Sequence, residues 1–176
     1  MGAHVLLVMA LDDPRAVAGV AGGKGASLAR LARAGFPVPP GFHVTTSAYL
    51  DFVGGGPGEP VLAASSAVDV SDPATFEAAS ARIGKVFAAQ PLPTPTAAAI
   101  AGAYAALGDD APVAVRSSAT VEDLPGMSAG GQHDTYLNMR GEAAVLDAVK
   151  RCWASLWSAR AIGYRAALAT ASRPAT

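Results

Sequence analysis

An apolar strand pattern that ends in an arginine constrains this chain more than any other segment. Residues 113–125 are Val-Ala-Val-Arg-Ser-Ser-Ala-Thr-Val-Glu-Asp-Leu-Pro, so a short apolar run meets a cation, several hydroxyls and a turn. The pattern predicts a strand over Val113–Arg116 with a permanent charge at its end. A planar guanidinium beside small hydroxyl side chains can bind phosphate through paired hydrogen bonds. A structural ion pair of Arg116 with Glu122 or Asp123 is the alternative.

A second cation, Lys24, lies in a glycine-rich loop predicted over residues 19–25, just before a predicted helix over Gly25–Ala34. Glycine lets backbone N–H groups approach an anion closely, and a helix start adds a favourable dipole. The segment matches neither the P-loop motif nor the dinucleotide fingerprint, since positions 18, 25 and 28 are alanine, glycine and leucine. An ordinary turn is therefore the alternative. The two cations together suggest one polyphosphate held from two sides.

The glycine-containing loop that precedes Thr135 is the third candidate. Residues 126–135 are Gly-Met-Ser-Ala-Gly-Gly-Gln-His-Asp-Thr. The glycines permit close backbone contact with a nucleotide, and Thr135 adds a hydroxyl, so the loop could act as a lid. A plain hairpin connection into the predicted strand Thr135–Met139 is the alternative.

The histidine, tryptophan and cysteine side chains are interpreted as structural. Neither His4 nor His43 has a nearby set of Cys, Asp or Glu residues at metal-ligand spacing, and His133 lies in the glycine-containing loop, so no metal site is predicted. Trp153 and Trp157 lie at helical spacing beside Leu156, which favours a core position over a base-stacking role. Cys152 has only basic neighbours that could activate it, and a buried, inert thiol is expected.

Composition excludes several classes of protein. The chain has 176 residues and is 51% hydrophobic, enough for one domain with its own core. A net charge of -1 argues against a nucleic-acid or anionic-membrane surface. One cysteine cannot form an internal disulfide, which favours a cytoplasmic setting. No apolar run is long enough for a membrane span, and the first residues lack the basic start of a signal peptide.

Periodicity and capping signals predict the remaining elements. Asp72-Pro73 and Thr94-Pro95 are helix starts, because an acceptor side chain precedes a proline in the first turn. The two helices they begin, toward Gln90 and Gly108, are expected to serve packing. Further predictions are strands over 5–9 and 42–45, a short helix capped by Thr46 and ending at Val53, a flexible turn over 54–60, and a long helix from Gly141-Glu142. The tail from Thr170 is expected to be frayed.

Five motifs in a fixed order resemble those of a known family. They are Gly22-Gly-Lys-Gly-Ala-Ser-Leu28, Gly35-Phe-Pro-Val-Pro-Pro-Gly-Phe42, Val115-Arg-Ser-Ser-Ala-Thr120 with Glu122-Asp-Leu-Pro125, Gly131-Gln-His-Asp-Thr-Tyr-Leu-Asn138, and Cys152-Trp-Ala-Ser-Leu-Trp157 with Arg160-Ala-Ile162. Together they resemble the nucleotide-binding region of the phosphoenolpyruvate synthase / pyruvate phosphate dikinase family, which includes rifampicin phosphotransferases. The resemblance implies an α+β fold: the first lobe of an ATP-grasp domain, with a mixed sheet flanked by helices.

The same resemblance implies the ligand and the residues that hold it. Lys24 and Arg116 would bind the phosphates of ATP, and Gly131 and Thr135 would line the nucleotide. Enzymes of this family transfer a phosphoryl group of ATP through a phosphohistidine to pyruvate or a drug hydroxyl, releasing AMP and phosphate. The Mg²⁺ ligands are expected in a second lobe. No catalytic residue is assigned within this chain.

The resemblance also sets expectations about what this chain contains. It supports one lobe over residues 1–165 and a divergent, disordered tail over 166–176. Residues 126, 127 and 130 depart from the bulkier family pattern, which leaves the stiffness of the loop open. A second lobe and a phosphohistidine domain are not recognised, so the chain alone is expected not to be a competent enzyme. The alternative is a non-catalytic module that docks to a separately encoded partner lobe or self-associates.

Overall fold

The computed structural model describes the backbone over residues 6–118, 123–124, 127–128 and 134–171, and side chains over 6–118 and 134–166. The strands are β1 (Val8–Ala10), β2 (Phe42–Val44), β3 (Val113–Arg116), β4 (Asp123–Leu124), β5 (Met127–Ser128) and β6 (Thr135–Met139). The helices are α1 (Ala18–Arg33), α2 (Thr46–Gly54), α3 (Gly58–Ser66), α4 (Pro73–Ala89), α5 (Thr94–Ala105), α6 (Glu142–Ser155) and α7 (Ala159–Ala171).

The predicted α+β class is confirmed, and the strands are arranged more simply than expected. In the described backbone they form three separate antiparallel pairs, β1–β2, β3–β6 and β4–β5, where one mixed sheet was expected. Helices make up most of the mass around them. None of the helices in this part of the chain is both long and apolar enough to cross a membrane.

The main core lies where α2, α4, α5 and α6 meet. Phe52 is fully buried, and its ring centroid lies 5.2 Å from those of both Phe87 and Trp153. Ile83 and Ile100 are also fully buried and complete the centre of this cluster. The helices over 73–105 therefore serve packing, as their spacing predicted, and Trp153 is a core residue.

Side-chain capping accounts for the starts of α2 and α4, whereas α1, α3, α5 and α6 begin without a side-chain cap from the described residues. Asp72 Oδ1 accepts a hydrogen bond from the Ala74 N–H at 3.0 Å, which confirms the predicted start of α4. The predicted cap of α2 is wrong by one residue, because Thr45, not Thr46, accepts from the Ala48 N–H. At the other end of α4, Lys150 Nζ donates to the carbonyls of Ala88 and Gln90, each at 3.1 Å.

Two helices were not predicted. α3 begins at Gly58, inside the segment 54–60 that was interpreted as a flexible turn, so that prediction is wrong for its last three residues. After Pro60 the helix contains Leu62, Ala63 and Ala64, which are good helix formers. α7 begins after a break at the end of α6, where Ser158 Oγ accepts from the Ala161 N–H at 3.2 Å. It continues to Ala171, and the residues of the predicted tail beyond it lie outside the described part.

A second, smaller core holds α1 against β1. Met9, Ala16, Ala21 and Ala29 are buried there. Because the helix side of this contact consists of small residues, the backbone of α1 can lie close to the β1–β2 ribbon. This packing positions the glycine-rich segment that the sequence singled out.

Candidate functional site

The glycine-rich segment is a broken helix. Residues 18–33 are helical except at Gly22, whose φ of 72° and ψ of 170° interrupt the helix. Only glycine adopts this conformation without strain. The predicted loop over 19–25 is therefore corrected to a one-residue break, and Lys24 lies exposed in the first turn of the helical segment that follows.

Ser118 caps that second helical segment from a distant part of the chain. Gly22 occupies the N-cap position and has no side chain to accept an N–H from the first turn. Ser118 Oγ takes this role and accepts a hydrogen bond from the Gly25 N–H at 3.1 Å. The residue that completes the helix start is thus two positions beyond Arg116, at the end of β3.

The contact between the two segments is tight. A Cβ atom on Gly22 would lie 2.6 Å from the carbonyl carbon of Ser118 and would overlap its hydroxyl and carbonyl oxygens. On another side of the turn, a Cβ on Gly25 would lie 3.3 Å from Nδ1 of His43. His43 is buried, and its Nε2 lies 3.0 Å from the carbonyl oxygen of Leu11. The turn is therefore held between Ser118 and His43.

Arg116 and Thr135 lie opposite each other in the β3–β6 pair. Both are exposed, whereas their neighbours Val115 and Tyr136 are paired on the half-buried face of the ribbon. Alternation along the strands places the guanidinium and the hydroxyl on one outward face. Arg116 makes no hydrogen bond or ion pair with the side chains described here, and its alternative partners Glu122 and Asp123 lie outside those side chains.

Ser117 and Asp134 fix the end of this ribbon. The Ser117 N–H donates to the carbonyl of Asp134 at 3.4 Å, next to the Arg116–Thr135 pair. The Asp134 carboxylate accepts a hydrogen bond from Tyr136 Oη at 2.9 Å. Burial raises the pKa of Tyr136 to about 12, and the bond to Asp134 adds to the shift.

Cys152 lies behind the ribbon and is buried, as expected. Burial raises the pKa of its thiol to about 12, with the nearby Asp134 as the second cause. The thiol is therefore protonated at neutral pH and is not a nucleophile. Arg151 stacks over the Tyr136 ring at 4.2 Å from its centroid and pairs with Asp147, so this cation has a structural role.

The structure thus brings together three of the four residues predicted to bind nucleotide, on adjacent segments. Lys24 precedes Gly25, Gly25 contacts Ser118, and Arg116 lies two residues from Ser118 and opposite Thr135. Gly131 and most of its loop lie outside the described residues. Sequence reasoning missed the roles of Ser118 and Asp134. Ser118 acts through its hydroxyl and Asp134 through its backbone carbonyl. The sequence gives no local signal for either contact, except that both residues lie next to predicted strands.

The chemistry of this arrangement suits an extended anion. Lys24 lies in the first turn of the second helical segment of α1, where the helix dipole favours negative charge, and Arg116 lies two residues from the Ser118 that caps this segment. No three His, Cys, Asp or Glu residues of the described segments are grouped in a way that could hold a metal ion. The charge of the segments of Lys24 and Arg116 therefore favours an anion such as phosphate.

Comparison with known proteins gives a consistent set of similarities. The family model described as "Pyruvate phosphate dikinase, AMP/ATP-binding domain" matches residues 18–173. The chain is 47% identical over 153 residues to a probable phosphoenolpyruvate synthase of Methanothermobacter thermautotrophicus, covering 84% of this chain and 22% of the relative. It is 48% identical over 164 residues to a rifampicin phosphotransferase of a Streptomyces species, covering 90% and 19%.

A third relative shows the same proportions. The phosphoenolpyruvate synthase of Aeropyrum pernix is 44% identical over 170 residues, covering 92% of this chain and 21% of that protein. The chain therefore spans about a fifth of the length of the curated relatives it matches.

Proposed function

The chain belongs to the family of the pyruvate phosphate dikinase AMP/ATP-binding domain, and we propose that it is the ATP-binding portion of a phosphotransferase. The contact between Gly25 and Ser118 carries the proposal, because it joins the segment of Lys24 to that of Arg116. Two cations on joined segments can bind one polyphosphate. The segment of Arg116 alone, or the glycine turn with Lys24 alone, would supply only one cation for the phosphates.

In the proposed site Lys24 and Arg116 bind the phosphates of ATP, and Thr135, with Gly131 from the adjacent loop, lines the nucleotide. Phosphoryl transfer depends mainly on positioning and charge neutralisation, so the role of these residues is to hold and orient the triphosphate. Mg²⁺, when bound with ATP, would neutralise charge that develops on the phosphates. We assign its protein ligands to a second lobe.

The acceptor of the phosphoryl group is pyruvate or a rifamycin hydroxyl, with AMP and phosphate released. Relatives named for each of these activities match the chain at nearly equal identity, 47% and 48%. The residues of the candidate site contact ATP in either case, since both reactions start from the same nucleotide. We propose that the chain by itself binds ATP without turning it over, in a cytoplasmic setting.

The proposal predicts that removal of either cation weakens ATP binding. Lys24→Ala and Arg116→Ala should each raise the dissociation constant for ATP about tenfold or more, because each removes a charge-assisted contact to phosphate. Titration calorimetry with ATP on the full chain measures this. Lys85 is an exposed lysine on α4, so Lys85→Ala is the matched control and should leave the affinity for ATP unchanged. Equal affinities in all variants would remove both residues from the site.

Exposed apolar side chains favour a second candidate function, an interaction module. Leu28 and Leu31 are 37% and 44% exposed on α1, and Phe36 just after it is 60% exposed. Leu28 and Leu31 share a helix face with Lys24, since they lie four and seven residues beyond it. This face could dock to a partner lobe or to a second copy of the chain.

Self-association through this face predicts an average mass that rises with concentration. Sedimentation velocity from about 1 to 100 μM should show a monomer–dimer shift if Kd lies in the micromolar range. Leu31→Glu should shift the protein toward the monomer, because a charge would be buried in the contact. A single monomeric species at every concentration, together with no captured partner lobe, contradicts this candidate.

A further inference from the structure

Ser118 contacts the glycine turn through two different groups. Its hydroxyl accepts from the Gly25 N–H at 3.1 Å, and its carbonyl group fills the space that a side chain on Gly22 would need. We propose that Ser118 is a positioning residue that holds Lys24 and Arg116 at the separation required by one triphosphate. This inference rests on the proposed function.

The two consecutive serines at the end of β3 have different partners. Ser117 is buried and its N–H donates to the carbonyl of Asp134, which anchors the strand end to β6 and Thr135. Ser118 faces the other way and anchors the same strand end to α1. Arg116 is thereby fixed relative to Thr135 by Ser117 and relative to Lys24 by Ser118.

This anchoring matters because the linked residues are far apart in the chain. Gly25 and Ser118 are separated by 93 positions, so no local turn sets the relation of Lys24 to Arg116. Long, exposed cationic side chains lose rotamer freedom when they bind. When the backbone separation of the two cations is already fixed, less conformational entropy is lost as both side chains bind one ligand. This effect is preorganisation.

Substitutions at Ser118 should change ATP affinity according to whether they keep the hydroxyl. Ser118→Ala keeps the backbone carbonyl against Gly22 but removes the acceptor for the Gly25 N–H. ATP affinity should then fall about fivefold to tenfold, although neither cation has been touched. Ser118→Thr retains a hydroxyl acceptor and should restore much of this loss. Ser27→Ala is the matched control, since that hydroxyl lies on α1 and accepts a hydrogen bond from the exposed Arg30 side chain.

A double-mutant cycle separates positioning from stability. ATP is titrated into the full chain carrying Lys24→Ala, Arg116→Ala or both, with serine and then with alanine at position 118. Thermal unfolding confirms that each variant is folded at the titration temperature. With Ser118 present, the effects of the two cation substitutions should be non-additive, because both side chains engage one ligand in one geometry. With Ser118→Ala they should become additive within error.

The outcomes distinguish this inference from the proposed function. If Lys24→Ala and Arg116→Ala weaken ATP binding but their coupling is unchanged by Ser118→Ala, the inference fails and the proposed function stands. Unchanged ATP affinity in the Ser118→Ala protein would also overturn the inference and leave the proposed function standing. If neither cation substitution affects ATP binding, or the chain does not bind ATP, both are overturned. Loss of coupling in Ser118→Ala with recovery in Ser118→Thr supports the inference.

Discussion

Gly22→Ala is expected to lower the free energy of unfolding by about 3 kcal/mol or more. Two costs add at this position. The φ of 72° with ψ of 170° is unfavourable for any residue with a Cβ. The new atom would also overlap the backbone of Ser118, which cannot move without disturbing the end of β3. Since about 1 kcal/mol shifts Tm by 2–4 °C in a chain of this size, Tm should fall by about 6–12 °C.

Glycines elsewhere in the helices provide the controls for this prediction. Gly19 and Gly84 have helical neighbours, no positive φ, and no heavy atom within 4 Å of an added Cβ. Gly19→Ala and Gly84→Ala should leave stability unchanged or raise it by about 0.5–1 kcal/mol, because alanine is the better helix former. Calorimetric unfolding of the three variants tests the comparison. A Gly22→Ala protein as stable as these controls would show that the break in α1 is not required.

Phe52→Ala is expected to cost about 3–5 kcal/mol, the second of the largest effects. The side chain is fully buried, and its ring lies 5.2 Å from both Phe87 and Trp153. Removing it leaves a cavity between α2, α4 and α6, which can close only in part because three helices line it. The loss should lower Tm by about 6–20 °C.

Leu50→Ala is the matched control for the core substitution. Leu50 lies on the same helix two residues away and is 64% exposed, so its truncation should change stability by less than about 0.5 kcal/mol. Denaturant unfolding followed by tryptophan fluorescence measures both variants, since Trp153 contacts the affected ring. Equal midpoints for Phe52→Ala and Leu50→Ala would contradict the assignment of the core centre.

Ser118 and Gly22 show why stability and binding should be measured together in this protein. Both residues lie in the contact between α1 and the end of β3. Alanine at Gly22 inserts an atom where none fits, whereas alanine at Ser118 removes one hydrogen-bond acceptor. We therefore expect Gly22→Ala to act mainly on unfolding and Ser118→Ala mainly on ATP affinity.

Several elements were predictable because their signals are local. Asp72-Pro73 starts α4 through a side chain that reaches an N–H two residues on. β3 ends at Arg116, and β6 spans Thr135–Met139, as alternation and flanking residues predicted. The wrong cap of α2 has a local cause as well. Thr45 and Thr46 are equally good caps in sequence, and only the path of the backbone decided between them.

The sequence by itself determined the family and the α+β class, because motif order and short-range propensities depend on consecutive residues. It also singled out the segments of Lys24 and Arg116, which the structure joins through the contact of Gly25 with Ser118. Only the tertiary structure decided that Gly22 breaks α1, that Ser118 caps the helix beyond it, and that Arg116 lies opposite Thr135. These contacts join residues up to 93 positions apart. They depend on how packed elements meet, and local propensity carries no information about that.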